Sequence, residues 1–247
     1  MPVISGLTTT LTAGKPYYRI TSLALRTGRS AHHKRVVNGQ GGVNSSVGAR
    51  YNHPGVASVY LTEDIETCLA EKLFYFQREV LTQIDIMHIS HALPPAVDGT
   101  FCLWEISFRE AVAEVFDLTL ANAPAMGVIP SLMLNPSQDY EHLKDRRAKM
   151  QATGYKGLRA PSSRAKGAGN LIVLFDDQGS NVEAITPFEV CIRMVTKAVP
   201  PAPFTNHALE VLDFVAGDVK IIPHPAKGSP KGGLGAYGNW TRVEFNH

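Results

Sequence analysis

Six polar side chains lie at the ends of hydrophobic stretches and are of types that could do chemistry together: Arg19, Arg50, Tyr51, Tyr60, Glu71 and Ser162. Arginine binds phosphate oxygens through paired, parallel hydrogen bonds, so two of them suit a phosphorylated ligand. Tyrosine rings make flat walls for planar groups. A carboxylate can stabilise positive charge that develops as a bond breaks. Each residue also has a plainer reading. Arg50 reads as a solvated loop arginine, Tyr60 as core and Ser162 after Pro161 as turn chemistry. Glu71 lies opposite the apolar stripe of its helix, so periodicity alone places it in solvent.

The elements that must position these residues read as follows. Residues 1–16 form a loose leader. Tyr17–Ile20 is a short strand, followed over 26–49 by a long loop rich in Gly, Ser, Asn and basic residues. Val56–Leu61 is a strand. Thr62 is placed to cap a helix over 62–80, whose residues Ile65, Leu69, Leu73, Phe76 and Val80 share one face. Cys102–Phe108 alternates as a half-buried strand, and Val115–Leu118 is another short one. Asn135 with Pro136 marks a helix start, and that helix ends at Gly154. Leu158 opens an extended piece, Leu171–Phe175 is a buried strand and Val190–Val195 is the last core strand. A short helix is expected at 206–215, ahead of a Gly/Pro/Lys-rich run. The domain reading is a leader at 1–16, a catalytic domain at 17–196 and an extension at 197–247. The pattern is α+β.

The chain has 247 residues, of which 44% are hydrophobic and 19% charged, enough for one ordinary domain with a sizeable core. A net charge of +2 supplies no field for nucleic acid, and the longest apolar run, Leu171–Phe175, is far too short to span a bilayer. Cys68, Cys102 and Cys191 have neither redox nor zinc spacing, which points to a reducing, cytoplasmic setting. His32-His33 on a loop lacks the geometry of a metal site, and no metal is expected. The chain contains no H-E-x-x-H, G-x-S-x-G, Walker A or G-x-G-x-x-G signature.

Taken in order, five fragments resemble the RES domain, the toxin half of bacterial toxin–antitoxin pairs, related in fold to ADP-ribosyltransferases. They are Tyr18-Arg19-Ile20, the run Gly48-Ala49-Arg50-Tyr51-Asn52-His53-Pro54-Gly55, Val59-Tyr60-Leu61 with Glu71 in the following helix, Gly157–Ser162, and Asn170–Phe175. The resemblance spans about 17–176. It implies short strands in a split, strongly twisted mixed sheet around an NAD cleft. It implies Glu71, Arg19 and Tyr60 as catalytic residues, and Arg50, Tyr51, Asn52 and Ser162 as residues that bind NAD⁺. NAD⁺ is then the substrate, and the nicotinamide–ribose bond is broken by water or phosphate. Chemically the set is sensible: guanidinium groups for the diphosphate, a tyrosine wall for nicotinamide and a carboxylate beside the ribose. The implied partner is an Xre-type antitoxin, with no membrane or direct nucleic-acid contact and with room for a homodimer. Two rival readings are an ADP-ribosyltransferase acting on a macromolecule and a non-catalytic nucleotide- or partner-binding module. Arg164, just past the Pro161-Ser162-Ser163 turn, is a further candidate for reaching phosphate.

Overall fold

A computed structural model describes residues 5–22, 36–46, 48–86, 96–134, 140–165, 169–195, 216–223 and 239–244. Ten strands form one hydrogen-bonded sheet among these residues. They are β1 (Thr8–Leu11), β2 (Tyr17–Ser22), β3 (Val59–Thr62), β4 (Ala96–Phe108), β5 (Val112–Asp117), β6 (Gly157–Pro161), β7 (Asn170–Leu174), β8 (Val182–Val195), β9 (Ala216–Pro223) and β10 (Thr241–Glu244). Their order across the sheet is β1-β5-β6-β7-β3-β2-β4-β8-β9-β10. Only β5 and β6 run parallel, so the sheet is mixed. The two longer helices are α1 (Ile65–Ile86) and α2 (Glu141–Ala152). The fold is α+β, and no helix among the described residues is long and apolar enough to cross a membrane.

Three apolar clusters follow from strand alternation. On one face, α1 packs Leu69 and Leu73 against Tyr18, Leu103, Val190 and Val219. A second cluster gathers Tyr51, Phe116, Leu143, Met150, Leu158 and Val173, and includes residues of α2. The third joins Tyr17, Leu61, Trp104, Ile106, Phe108 and Ile172 with Val36 and Val37. Along β4, Leu103 enters the first cluster while Cys102 and Trp104 enter the third. This strand is therefore buried on both faces rather than half-buried.

The middle of the sheet is its weak seam. β2 and β3 are joined by a single registered pair, Tyr18 with Thr62, whereas β2 pairs with β4 over six residues. The opening between α1 and the second cluster lies over this seam.

Several sequence expectations change. Thr62 is the last residue of β3. The helix cap is Asp64, whose Oδ1 accepts from the Thr67 amide at 2.6 Å and whose Oδ2 accepts from the Thr67 hydroxyl at 2.9 Å. The strands are not uniformly short, since β4 has 13 residues and β8 has 14. Within the expected loose leader, Thr8–Leu11 is an edge strand paired with β5. Val190–Val195 does not end the sheet, because β9 pairs with β8 and β10 with β9. The caps at Asn135 and Pro136, the helix at 206–215 and His32-His33 lie outside the described residues.

Candidate active site

The sharp turn at the start of the arginine segment sets the site. Gly48 has φ +71°, and a Cβ there would lie 2.3 Å from the Asn52 carbonyl oxygen, so only glycine fits. Beyond it, Ala49 and Asn52 exchange backbone hydrogen bonds of 3.0 and 3.3 Å and close a tight loop. Arg50 and Tyr51, adjacent on this loop, leave in different directions. Arg50 turns into the opening over the seam, and Tyr51 turns into the second apolar cluster.

The opening is a cavity of about 260 Å³. Of the sequence candidates, Arg19, Arg50, Tyr60 and Glu71 all line it. Tyr18 and Arg19 alternate on β2, and Tyr60 and Leu61 on β3, so residues from both faces of the sheet reach it through the seam. Its charged lining is Arg19, Arg50 and Lys72 against the one acid Glu71. Three cations facing one carboxylate favour an anionic ligand.

Tyr51 and Asn52 do not line the cavity. Tyr51 is 1% exposed and packs in the core. Asn52 is a clamp: its Oδ1 accepts from the Tyr60 hydroxyl at 2.8 Å. The same hydroxyl accepts from the Tyr51 amide at 3.0 Å. Tyr60 thus pins the arginine loop with its oxygen and offers its ring to the cavity. Burial pushes its pKa well up, only partly opposed by the Tyr51 amide.

Glu71 projects from the face of α1 opposite Leu69 and Leu73, and that face looks into the cavity rather than into bulk water. Its Oε1 accepts from Ser162 Oγ at 2.6 Å. That serine oxygen also accepts from the amides of Arg164 and Ala165, both at 3.1 Å. A hydroxyl has two acceptor lone pairs and one proton. With both lone pairs occupied by N–H groups, the proton is directed at Glu71. Ser162 is 4% exposed and stands behind the carboxylate, not in the cavity. Its loop is held close to α1: a Cβ on Gly169 would come within 1.8 Å of the Thr67 hydroxyl.

Arg50 is 5% exposed. It donates through Nη2 to the Ser163 hydroxyl and lies 5.2 Å from the Tyr140 ring centroid. Its Nη1 is buried with no hydrogen-bond partner among the described residues. Burial works against its charge, but Tyr51, Glu71 and Tyr140 outweigh it and hold the guanidinium protonated more firmly than usual. Arg19 donates to the Val36 carbonyl at 2.5 Å, and burial lowers its pKa. Cys68 also lines the cavity. Burial pushes its thiol up to about 12, so it is no thiolate nucleophile near neutrality. Among the described residues, no three His, Cys, Asp or Glu side chains gather as metal ligands would.

The further candidate Arg164 lies beside the site, and Lys72, Tyr75 and Tyr140 went unassigned in the sequence. Arg164 is 2% exposed, donates to the Tyr140 hydroxyl at 3.2 Å and lies 3.2 Å from the Phe74 ring centroid. Tyr75 and Lys72, both on α1, line the cavity beside Glu71. Tyr140 has no motif of its own, and only the fold brings it between the two arginines.

The RES domain matches residues 24–194. The chain belongs to the RES-domain family. Arg50, Tyr60, Glu71 and Ser162 lie within the RES match, while Tyr18 and Arg19 precede it and β9 and β10 follow it. A chain of the crystal structure of the M. tuberculosis MbcT–MbcA toxin–antitoxin complex is similar to this RES protein. It has 16% sequence identity and a TM-score of 0.49, and the similarity covers 74% of this chain and 88% of that one. No curated protein matches the chain.

Proposed function

We propose that this RES protein is an enzyme that cleaves the nicotinamide–ribose bond of NAD⁺, by hydrolysis or phosphorolysis, with an ADP-ribosyltransferase-like cleft at the β2–β3 seam. The observation that carries this reading is Glu71, a carboxylate held by Ser162 at 2.6 Å in a cavity whose other charges, Arg19, Arg50 and Lys72, are positive. A dinucleotide presents the complementary pattern: a doubly negative diphosphate beside a ribose that becomes cationic as its bond breaks. Arg50, with a buried N–H group unsatisfied, suits a phosphate oxygen. Arg19 is the second cation for the diphosphate.

In the reaction the bonding electrons leave with the nicotinamide nitrogen, and positive charge passes to the ribose. Glu71 stabilises that charge and orients the ribose hydroxyls. Water then bonds to the ribose carbon and releases one proton to solvent, or phosphate bonds there through an anionic oxygen with no proton lost. Tyr60 contributes its ring as a wall and its hydroxyl as the loop clamp. Ser162 acts through Glu71, while Tyr51 and Asn52 hold the arginine loop.

The family resemblance supplies the setting: a cytoplasmic toxin that depletes NAD⁺, restrained by an Xre-type antitoxin, with a homodimer as one arrangement. Purified protein incubated with NAD⁺ should release free nicotinamide catalytically. Product analysis with and without phosphate identifies the acceptor. Label from NAD⁺ transferred to protein or nucleic acid, with near-stoichiometric consumption, would instead favour an ADP-ribosyltransferase.

A further inference from the structure

Five tyrosines come close to α1 or the arginine loop, and four are held by other contacts. Tyr18 is 5% exposed within the α1 cluster, Tyr51 is core, Tyr60 walls the cavity with both sides of its hydroxyl engaged, and Tyr140 lies against Arg50 and accepts from Arg164. Tyr75 differs. It lines the same cavity yet is 47% exposed, so its ring remains accessible at the mouth. Phe74 meets it at 5.6 Å between centroids and 78° between planes, an edge-on contact that fixes the ring without covering it. Phe74 is itself held under the Arg164 guanidinium.

Its place along the helix gives the ring a function. Tyr75 follows Glu71 by four residues, which puts both on one face about 6 Å apart along the axis. Under the reading above, Glu71 serves the ribose. The nicotinamide ring is bonded to the reacting ribose carbon and must lie within about one helical turn of that carboxylate. We propose that Tyr75 is the stacking face for the nicotinamide ring, which makes it a specificity-determining residue for the oxidised, cationic dinucleotide. This rests on the NAD⁺-cleaving function proposed above.

The charge flow sets its kinetic signature. Before cleavage the ring is a pyridinium cation, attracted to the tyrosine face. As the bond breaks, the electron pair neutralises the ring and the positive charge moves to the ribose beside Glu71. The Tyr75 attraction is therefore strongest in the bound substrate and fades toward the transition state, so its loss raises KM and does not lower kcat.

The test is steady-state NAD⁺ cleavage by wild type, Tyr75→Leu and Tyr75→Phe, with ADP-ribose affinity measured for each. Tyr75→Leu should raise KM by about 5- to 30-fold without lowering kcat. ADP-ribose, which lacks nicotinamide, should bind all three equally. Tyr75→Phe keeps the aromatic face and should keep KM within about 3-fold of wild type. Three outcomes overturn the inference while leaving the proposed function intact: wild-type turnover with an unchanged KM in Tyr75→Leu, weaker ADP-ribose binding in Tyr75→Leu, or a Tyr75→Phe effect as large as that of Tyr75→Leu. A wild-type protein without any NAD⁺ turnover overturns the underlying function, and this inference with it.

Discussion

Ser162 and Glu71, 91 residues apart in sequence, share a hydrogen bond of 2.6 Å in which the serine proton goes to the carboxylate while the serine oxygen accepts from the Arg164 and Ala165 amides. The carboxylate is thereby aimed by the backbone of a neighbouring loop. A site residue whose support is lost can drift by a fraction of an ångström with large kinetic effect.

Ser162→Ala should therefore lower kcat for NAD⁺ cleavage by about 10- to 100-fold with a smaller change in KM. It also leaves two amides short of an acceptor, so denaturant unfolding should show a loss of about 1–2 kcal/mol. An unchanged kcat would show that Glu71 needs no such support.

Gly48→Ala tests the arginine loop. The new Cβ would meet the Asn52 carbonyl oxygen at 2.3 Å on a backbone with φ +71°. A stability loss of about 1–3 kcal/mol is expected from that strain. Because Arg50 is two residues away, KM for NAD⁺ should rise as well. Urea midpoints and initial rates on the same preparation check both effects.

The C-terminal strands are structural partners of α1. Val243 on β10 is 3% exposed and lies in the cluster of Leu69, Leu73 and Ala165. Val243→Asp places a charge there and should cost about 3 kcal/mol or more, read as a drop in Tm. A Tm within error of wild type would mean that β10 does not support α1.

Alkali should destabilise the fold in a predictable window. Burial raises the Cys68 thiol from 9.0 to about 12 and the Tyr18 and Tyr51 hydroxyls from 10.0 to about 12. For each, the folded pKa lies above the unfolded one. The stabilisation is complete below pH 9 and is lost as pH climbs toward 12, since the unfolded chain ionises first. Equilibrium unfolding followed across that range should show a monotonic fall. At pH 8, Cys68 should resist thiol reagents until the protein unfolds.

Much of this was legible in the sequence. The α1 stripe appears because helical period and core burial coincide at Ile65, Leu69, Leu73 and Phe76. Arg19, Arg50, Tyr60 and Glu71 were brought together by family resemblance, and the fold does gather them around one cavity. Periodicity misplaced Glu71, because a helix face that turns away from the core can look into a cleft as readily as into solvent. Local pattern could not separate Tyr51 from Tyr60. Which tyrosine enters the core depends on the turn at Gly48, a three-dimensional constraint. The partner of Ser162, the Tyr140 contacts of Arg50 and Arg164, and the pairing of β9 and β10 are all long-range and leave no periodic trace.

The central claim is that Glu71 is the carboxylate that supports departure of nicotinamide. The most direct measurement is free nicotinamide released from NAD⁺ by wild type and by Glu71→Gln, side by side, with Tm recorded for both. Wild type should turn over many equivalents, and Glu71→Gln should lose about 100- to 1,000-fold in kcat while its Tm stays near that of wild type. Equal turnover by a folded Glu71→Gln protein, or no release of nicotinamide by wild type, would contradict the account.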